Sequence, residues 1–231
     1  MARKVNIKGP IIEDSDAWIY EWFGIAATSP KIVNDIVEKA NGEDLEVIIN
    51  SGGGSVFAGS EIYTVLKDYS GNVLVKIVGL AASAASVIAM AGDKIKMSPT
   101  AQIMIHNVWS YAEGDYREME HTAEILKNAN KTIANAYEIK TGKTQEELLK
   151  LMDGETWMTP KQAKELGFID EIMFEETQLV ANINYSGLLP PEVINKIKNE
   201  FNKNKKNPLN EADILFQKTK FEYLKLKGDK E

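Results

Sequence analysis

Residues 79–86, GLAASAAS, lie between two apolar runs and decide the fold that the sequence predicts. The alternating run at 73–78 predicts a buried strand, and the run at 87–91 predicts a buried helix. A sharp turn from strand to helix, with Ser83 at the turn, is a common way to present a nucleophile. Free N–H groups at a helix start also favour an oxyanion. For this stretch alone, an Ala/Ser-rich helix packed tightly on a sheet is an equally good interpretation.

The preceding segment has the same order of elements. Residues 45–50, LEVIIN, predict a strand, the glycine-rich loop 51–54 follows it, and residues 57–67 have the apolar spacing of a helix. A glycine turn at 70–72 then leads into the strand at 73–78. The order strand, helix, strand, helix predicts an α/β fold with parallel strands joined by crossover helices.

Further elements are predicted on both sides of this unit. They are an edge strand at 4–12, a helix from Pro30 to Ala40 capped by Ser29, short strands at 94–97 and 101–106, a long helix from Gly114 to about Lys140, and short helices beginning at Thr144 and Thr159. The aromatic segment 18–25 fits a helix and a strand equally well. Beyond about Phe174 the composition shifts towards Lys, Asn and Glu. The sequence therefore predicts a domain at 1–175 and a C-terminal extension at 176–231 that is helical or partly disordered.

The composition argues against several classes of function. The chain has 231 residues, of which 44% are hydrophobic, a net charge of −7, no cysteine and two histidines. The negative charge disfavours nucleic-acid binding, and the lack of cysteine excludes disulfides, thiol catalysis and Cys-ligated metals. Two histidines argue against a His-rich zinc site, and we expect no metal or cofactor. Neither a signal-peptide pattern nor an apolar run of membrane-spanning length occurs, so we expect a cytoplasmic protein.

Three kinds of side chain suggest acyl transfer by a serine. His106 follows a strand and is the better base candidate, although a satisfied core histidine is the alternative. His121 lies among glutamates in a helix, which favours a solvated position. Asp153 and Glu155 lie between two helices, and either can supply a carboxylate. Together with Ser83, these residues supply the nucleophile, base and orienting acid that such chemistry needs.

The glycine loop 52–54 supplies a feature that these side chains lack. Consecutive glycines after a buried strand let backbone N–H groups point at a ligand. One N–H from this loop and one from Ala84 would make an oxyanion hole with two donors. The loop is not a phosphate loop, because no Gly-Lys-Ser/Thr follows it. A flexible turn is the alternative.

Four ordered motifs resemble one known family. They are INSGGG at 49–54, Ala58-Gly59, GLAASAA at 79–85 and MIHN at 104–107. In order and spacing they resemble the proteolytic subunits of caseinolytic protease, the ClpP peptidases, over residues 45–172. The resemblance is closest to the phage and prophage branch, the ClpP-related head maturation proteases.

This resemblance implies a ClpP/crotonase-type fold of stacked βαβ units with a protruding long helix. It implies Ser83 as the nucleophile and His106 as the base. It also implies the backbone N–H groups of Gly54 (or Gly53) and Ala84 as the oxyanion donors. Members of the family assemble as homo-oligomeric rings, commonly heptamers stacked in pairs, and a separate ATP-dependent unfoldase can feed them.

The chain departs from the family pattern at three positions. Gly52 stands where the family usually has proline, and Ala84 stands where methionine is common, which leaves the backbone N–H unchanged. The acid of the family is usually aspartate. Aligning residues 157–160 with the helix start of the family puts Glu155 at the acid position, and Asp153 is the alternative acid.

These features predict a serine endopeptidase that acts on unfolded polypeptide or on phage structural protein. A crotonase-type acyl-CoA enzyme would share the fold and the oxyanion hole, but it would not need a serine and a histidine together. A non-catalytic ring scaffold or assembly protein is the other alternative, in which the lysine-rich extension mediates binding.

Overall fold

The computed structural model describes residues 2–175 and Asn195. The chain divides into two units, Met1–Glu175 and Glu176–Glu231. The described residues of the first unit form an α/β domain. Apart from Asn195, the predicted C-terminal extension lies outside the described residues, and its helical or disordered character stays a prediction.

The described domain consists of strands and helices in alternation. The strands are β1 (Arg3–Lys8), β2 (Leu45–Ser51), β3 (Val73–Ala82), β4 (Lys94–Met97), β5 (Gln102–Ile105), β6 (Thr156–Met158) and β7 (Glu171–Ile172). The helices are α1 (Ala17–Trp22), α2 (Pro30–Ala40), α3 (Val56–Lys67), α4 (Ala84–Ala89), α5 (Tyr116–Thr141), α6 (Gln145–Asp153) and α7 (Pro160–Glu165), with a short 3₁₀-helix (Asp14–Asp16) before α1.

These strands form one sheet whose main path runs in the order β1, β2, β3, β4, β7. All pairs along this path are parallel, which confirms the predicted α/β class with crossover helices. The long strand β3 has two neighbours on one side. Its residues 74–77 pair with β4, and its residues 80–82 pair with β5. Strand β6 then pairs antiparallel with β5.

One apolar cluster joins the sheet to helices α2 to α7. Alternate residues of the central strands are fully buried, as on a sheet covered by helices. Helix α5 contributes only its C-terminal part to this core, since its buried residues lie between Ile133 and Tyr137. Its N-terminal part therefore projects from the core, as expected of the protruding long helix. No helix among the described residues is long and apolar enough to cross a membrane.

The predicted end of β3 at residue 78 is wrong, because the strand continues to Ala82. A register shift in β2 leaves the Asn50 side chain free to accept the N–H of Leu80 at 3.1 Å. A Cβ on Gly79 would lie 2.5 Å from Asn50 Oδ1. Gly79 therefore marks a close approach within the strand and not the turn. The short strands β6 and β7 were not predicted, because two or three residues carry no periodic pattern.

Several predicted helix boundaries are confirmed. Helix α2 begins at Pro30 and ends before Asn41, which has a left-handed φ of +46°. Thr144 and Thr159 form capping boxes at the starts of α6 and α7. Ser29 precedes α2, but its hydroxyl makes no cap and is buried without a partner among the described residues. The aromatic segment that fitted helix and strand equally forms α1.

Helix α3 packs closely on α4 at the residue that follows Ser83. A Cβ on Gly59 would lie 2.9 Å from the Cβ of Ala84. Because both positions are buried, neither side chain has room to grow. The small residues in the two motifs therefore set the distance between these helices.

Gly59→Val should lower the free energy of unfolding by about 2 kcal/mol, since overpacking a dense contact typically costs ~1–3 kcal/mol. Urea unfolding followed by circular dichroism measures the change. Glu61→Val, at an exposed position of the same helix, is the matched control and should change stability by less than about 0.5 kcal/mol. Equal effects of the two variants would contradict close packing at Gly59.

Candidate active site

Ser83 lies between β3 and α4 in a strained backbone conformation. Its φ is +53° and its ψ is −128°, a region that residues with a side chain rarely occupy. Strain of this kind persists only where the surrounding contacts enforce it. The N–H of Ser83 donates to the carbonyl of Met104 at 3.0 Å, and the carbonyl of Ser83 accepts from the Ser86 hydroxyl at 2.6 Å. These bonds hold the turn on both sides of the Ser83 Cα.

His106 follows β5 directly and faces the serine. Because β3 and β5 are parallel, with Ala82 opposite Met104, the residues that follow the two strands lie side by side. His106 Nε2 lies 2.8 Å from Ser83 Oγ, which is hydrogen-bonding distance. This pair has the geometry of a serine nucleophile and its general base. The other histidine, His121, is exposed on α5 as predicted.

The glycine loop after β2 packs against the turn at Ser83. A Cβ on Gly53 would lie 2.7 Å from Ser83 Cβ and 3.0 Å from Ala84 N, so only glycine fits there. The N–H of Gly53 already donates to Ser51 Oγ at 3.1 Å. Among the described residues, the N–H groups of Gly54 and Ala84 have no acceptor. Of the two predicted loop donors, Gly54 is therefore the one left free to bind an oxyanion.

The pairing of β5 with β6 ends next to His106 on one strand and next to Glu155 on the other. Ile105 lies opposite Thr156 in this antiparallel pair. His106 and Glu155 are the next residues beyond this last pair, one on each strand's chain, and they are not themselves paired. Glu155 also has a positive φ of +45°, which is uncommon for a residue with a long side chain.

Both candidate carboxylates nevertheless bind other groups in this structure. Glu155 accepts from the indole of Trp157 at 3.2 Å, and Asp153 accepts from the side-chain amide of Asn107 at 2.7 Å. Within the described part of the chain, no group accepts a hydrogen bond from Nδ1 of His106. The structure thus brings the serine and the histidine together but not the acid, and the identity of the acid stays a prediction.

A cleft of about 620 Å³ opens beside Ser83 and His106. Most of its wall is apolar. The wall includes Phe57, Val87, Met104, Trp109, Ile125 and Ile133. A concave apolar surface beside a few polar groups is the usual form of a substrate site. Among residues 2–175, no group of three or more His, Asp or Glu side chains is placed to hold a metal ion.

The sequence matches the family described as Clp protease over residues 28–176. The chain belongs to the Clp protease family. The matched region contains Ser83, His106 and both candidate carboxylates. The ClpP-type fold that the four motifs imply is thereby confirmed for the described domain.

Two curated relatives of this Clp protease family member come from strains of Bacteroides fragilis. Both are named ATP-dependent Clp protease proteolytic subunit, and each is 36% identical over 137 residues, or 58% of this chain. The matched region covers 66% of one relative and 62% of the other. The chain thus spans slightly less than two thirds of the length of these relatives.

Ser86 and Tyr137 belong to no functional motif in the sequence, although both lie beside Ser83. Ser86 is one more small residue in a run of small residues, and Tyr137 falls on the apolar side of α5. Both are buried, and their hydroxyl groups are 2.8 Å apart. One clue was present in the sequence: a tyrosine hydroxyl on the buried face of a helix needs a hydrogen-bond partner.

Gly53→Ala should lower the free energy of unfolding by about 2–4 kcal/mol, because a contact with rigid backbone and a strained φ add to each other. Gly53 has a φ of +94°. Gly52→Ala is the matched control, since a Cβ there meets nothing within 4 Å. It should leave the protein equally stable or more stable by up to about 1 kcal/mol. Denaturant midpoints measure both, and a tolerated Gly53→Ala would refute the close approach.

Proposed function

We propose that this protein is a serine-type endopeptidase in which Ser83 is the nucleophile and His106 the general base. The observation that carries the proposal is the 2.8 Å contact between Ser83 Oγ and His106 Nε2 at a strained strand-to-helix turn. The names of the two relatives, each a Clp protease proteolytic subunit, support the same reaction class. A crotonase-type enzyme would not need this pair of side chains.

The proposed reaction forms and hydrolyses an acyl-enzyme. Ser83 Oγ attacks the carbonyl carbon of a peptide bond while His106 Nε2 takes the hydroxyl proton. The N–H groups of Gly54 and Ala84 bind the negative oxygen of the tetrahedral intermediate. His106 then returns the proton to the leaving amine, and the C–N bond breaks. Water, deprotonated by the same histidine, then attacks the ester carbon, the bond from that carbon to Ser83 Oγ breaks, and His106 returns the proton to Ser83 Oγ.

We assign the orienting acid to Glu155, with Asp153 as the alternative. The assignment is supported by position, since Glu155 immediately precedes Thr156, which pairs with Ile105, the residue before His106. A glutamate in this place would accept the Nδ1 hydrogen of His106 and stabilise the imidazolium. Asp153 instead bonds to the neighbouring Asn107.

The substrate and the assembly follow from the family likeness and are part of the proposal. We propose an unfolded polypeptide or a phage structural protein as substrate, cleaved in the cytoplasm inside a homo-oligomeric ring, a heptamer or a stacked double heptamer. The words ATP-dependent in the names of the relatives favour a separate ATP-driven unfoldase as partner. The sequence motifs favour the phage and prophage branch, in which head maturation is the process served.

A fluorophosphonate probe should label Ser83 of the full-length protein, because an activated serine attacks phosphorus as it attacks a carbonyl. Peptide mapping by mass spectrometry locates the label. Labelling should disappear in Ser83→Ala and fall strongly in His106→Ala, while Ser60→Ala, at a serine of α3, keeps it. Absence of labelling in folded, assembled wild-type protein would favour the non-catalytic scaffold.

Glu155→Gln should lower kcat about 10²- to 10⁴-fold, because an amide in place of the acid can hold the histidine in the wrong tautomer. Hydrolysis of a fluorogenic peptide measures the change. Asp153→Asn should cost much less, and Glu146→Gln, at an exposed position of α6, is the neutral control. A larger loss in Asp153→Asn than in Glu155→Gln would transfer the role to Asp153.

A further inference from the structure

A buried chain of hydrogen bonds runs from α5 to the peptide group that follows the nucleophile. The hydroxyl of Ser86 lies 2.6 Å from the carbonyl oxygen of Ser83 and 2.8 Å from the hydroxyl of Tyr137. The exposed fractions are 0% for Ser86 and 1% for Tyr137. Since water does not reach these groups, their hydrogen bonds must be made within the protein.

The direction of this chain follows from the chemistry of its members. A carbonyl oxygen only accepts, so Ser86 must use its one hydroxyl hydrogen for the carbonyl of Ser83. The Ser86 oxygen can then only accept from Tyr137, which is the donor at the head of the chain. Burial raises the pKa of the Tyr137 phenol above its ordinary value, which keeps that hydrogen in place.

The carbonyl of Ser83 shares a planar peptide unit with the N–H of Ala84. In a trans peptide the C=O and N–H point in opposite directions, so fixing one fixes the other. The backbone N–H of Ser86 also donates to this carbonyl at 2.9 Å, whereas that of Val87 is more distant at 3.4 Å. The Ser86 hydroxyl, at 2.6 Å, makes the shortest of the three bonds.

We propose that Ser86 and Tyr137 are positioning residues that hold the Ser83–Ala84 peptide with its N–H directed at the oxyanion. This inference rests on the proposed peptidase function and deepens it. Two effects act together. The chain fixes the plane of the peptide against the strain at Ser83, and hydrogen bonding at its carbonyl polarises its N–H into a stronger donor.

The tyrosine is held in place for this task by its own packing. Its ring lies 5.7 Å from that of Phe168, centroid to centroid, in a tilted arrangement. Tyr137 also borders the cleft beside the serine. Through Ser86, the Tyr137 hydroxyl links the C-terminal part of α5 to the strained turn.

The test compares Tyr137→Phe and Ser86→Ala with wild type in the full-length protein. We expect kcat on a fluorogenic peptide to fall about 5-fold in the first and about 10- to 50-fold in the second, a fraction of the loss of one whole oxyanion donor. KM should stay within about 2-fold, because the N–H acts on the transition state and not on the bound substrate. The inhibition constant of a peptide aldehyde, whose adduct has an oxyanion, should rise by the same factor as kcat falls.

Two controls separate positioning from a general loss of stability. Tyr69→Phe removes a tyrosine hydroxyl that donates to the carbonyl of Glu43 at 2.6 Å, away from the cleft. It should leave kcat unchanged and lower the unfolding temperature less than Tyr137→Phe does, because the bond it removes is exposed. The double variant of Ser86 and Tyr137 should lose no more activity than Ser86→Ala alone, since both residues act through one chain.

The outcomes are distinct. Wild-type kcat in both folded variants, or a loss of kcat with an unchanged aldehyde affinity, overturns the positioning role while the peptidase function stands. The positioning role is also overturned if the double variant loses as much activity as the two single variants together. If wild-type protein neither hydrolyses peptide nor reacts with fluorophosphonate, both proposals are overturned. If Tyr137→Phe does not fold, Ser86→Ala decides alone.

Discussion

The pairing of the end of β3 with β5 is the interaction on which the site depends. Only three residues of β3, 80–82, take part in it. They lie beyond residues 74–77, which pair with β4 on the same side of β3. This pairing places the residues after the two strands side by side, which brings Ser83 to His106. Alternate residues of β2 and β3 are buried beneath the crossover helices. This packing holds the two strand ends in register.

Much of the fold followed from local pattern in the sequence. The βαβα order, the long helix, the capping box at Thr144 and the helix start at Thr159 were predicted correctly, because periodicity and capping chemistry are local signals. The features that the sequence concealed depend on tertiary contact. Gly79 resembled a turn residue, whereas it lies inside a strand against the Asn50 side chain, and β6 is a strand only because β5 offers it an edge.

The same distinction applies to the site. Serine, histidine and glycine loop were recognised from residue type and order, and the structure places them together. The choice between Gly53 and Gly54 as donor required the hydrogen bond from Gly53 to Ser51, which no pattern encodes. The acid could not be identified from the sequence, and in the structure both candidate carboxylates bind groups other than His106. The role of Tyr137 was missed because the apolar spacing of a helix does not distinguish a tyrosine from a phenylalanine.

The pair Ile105 and Thr156 has a topological consequence. The residues between them, 106–155, leave the sheet and return to it at the same place, so they form an insertion whose two ends are closed by strand pairing. Lengthening the part of this insertion that lies outside the core costs little closure entropy, since even doubling a flexible loop adds only about 0.6 kcal/mol. The projecting part of α5 can therefore vary in length and sequence to suit different neighbours, provided that Tyr137 keeps its place against Ser86.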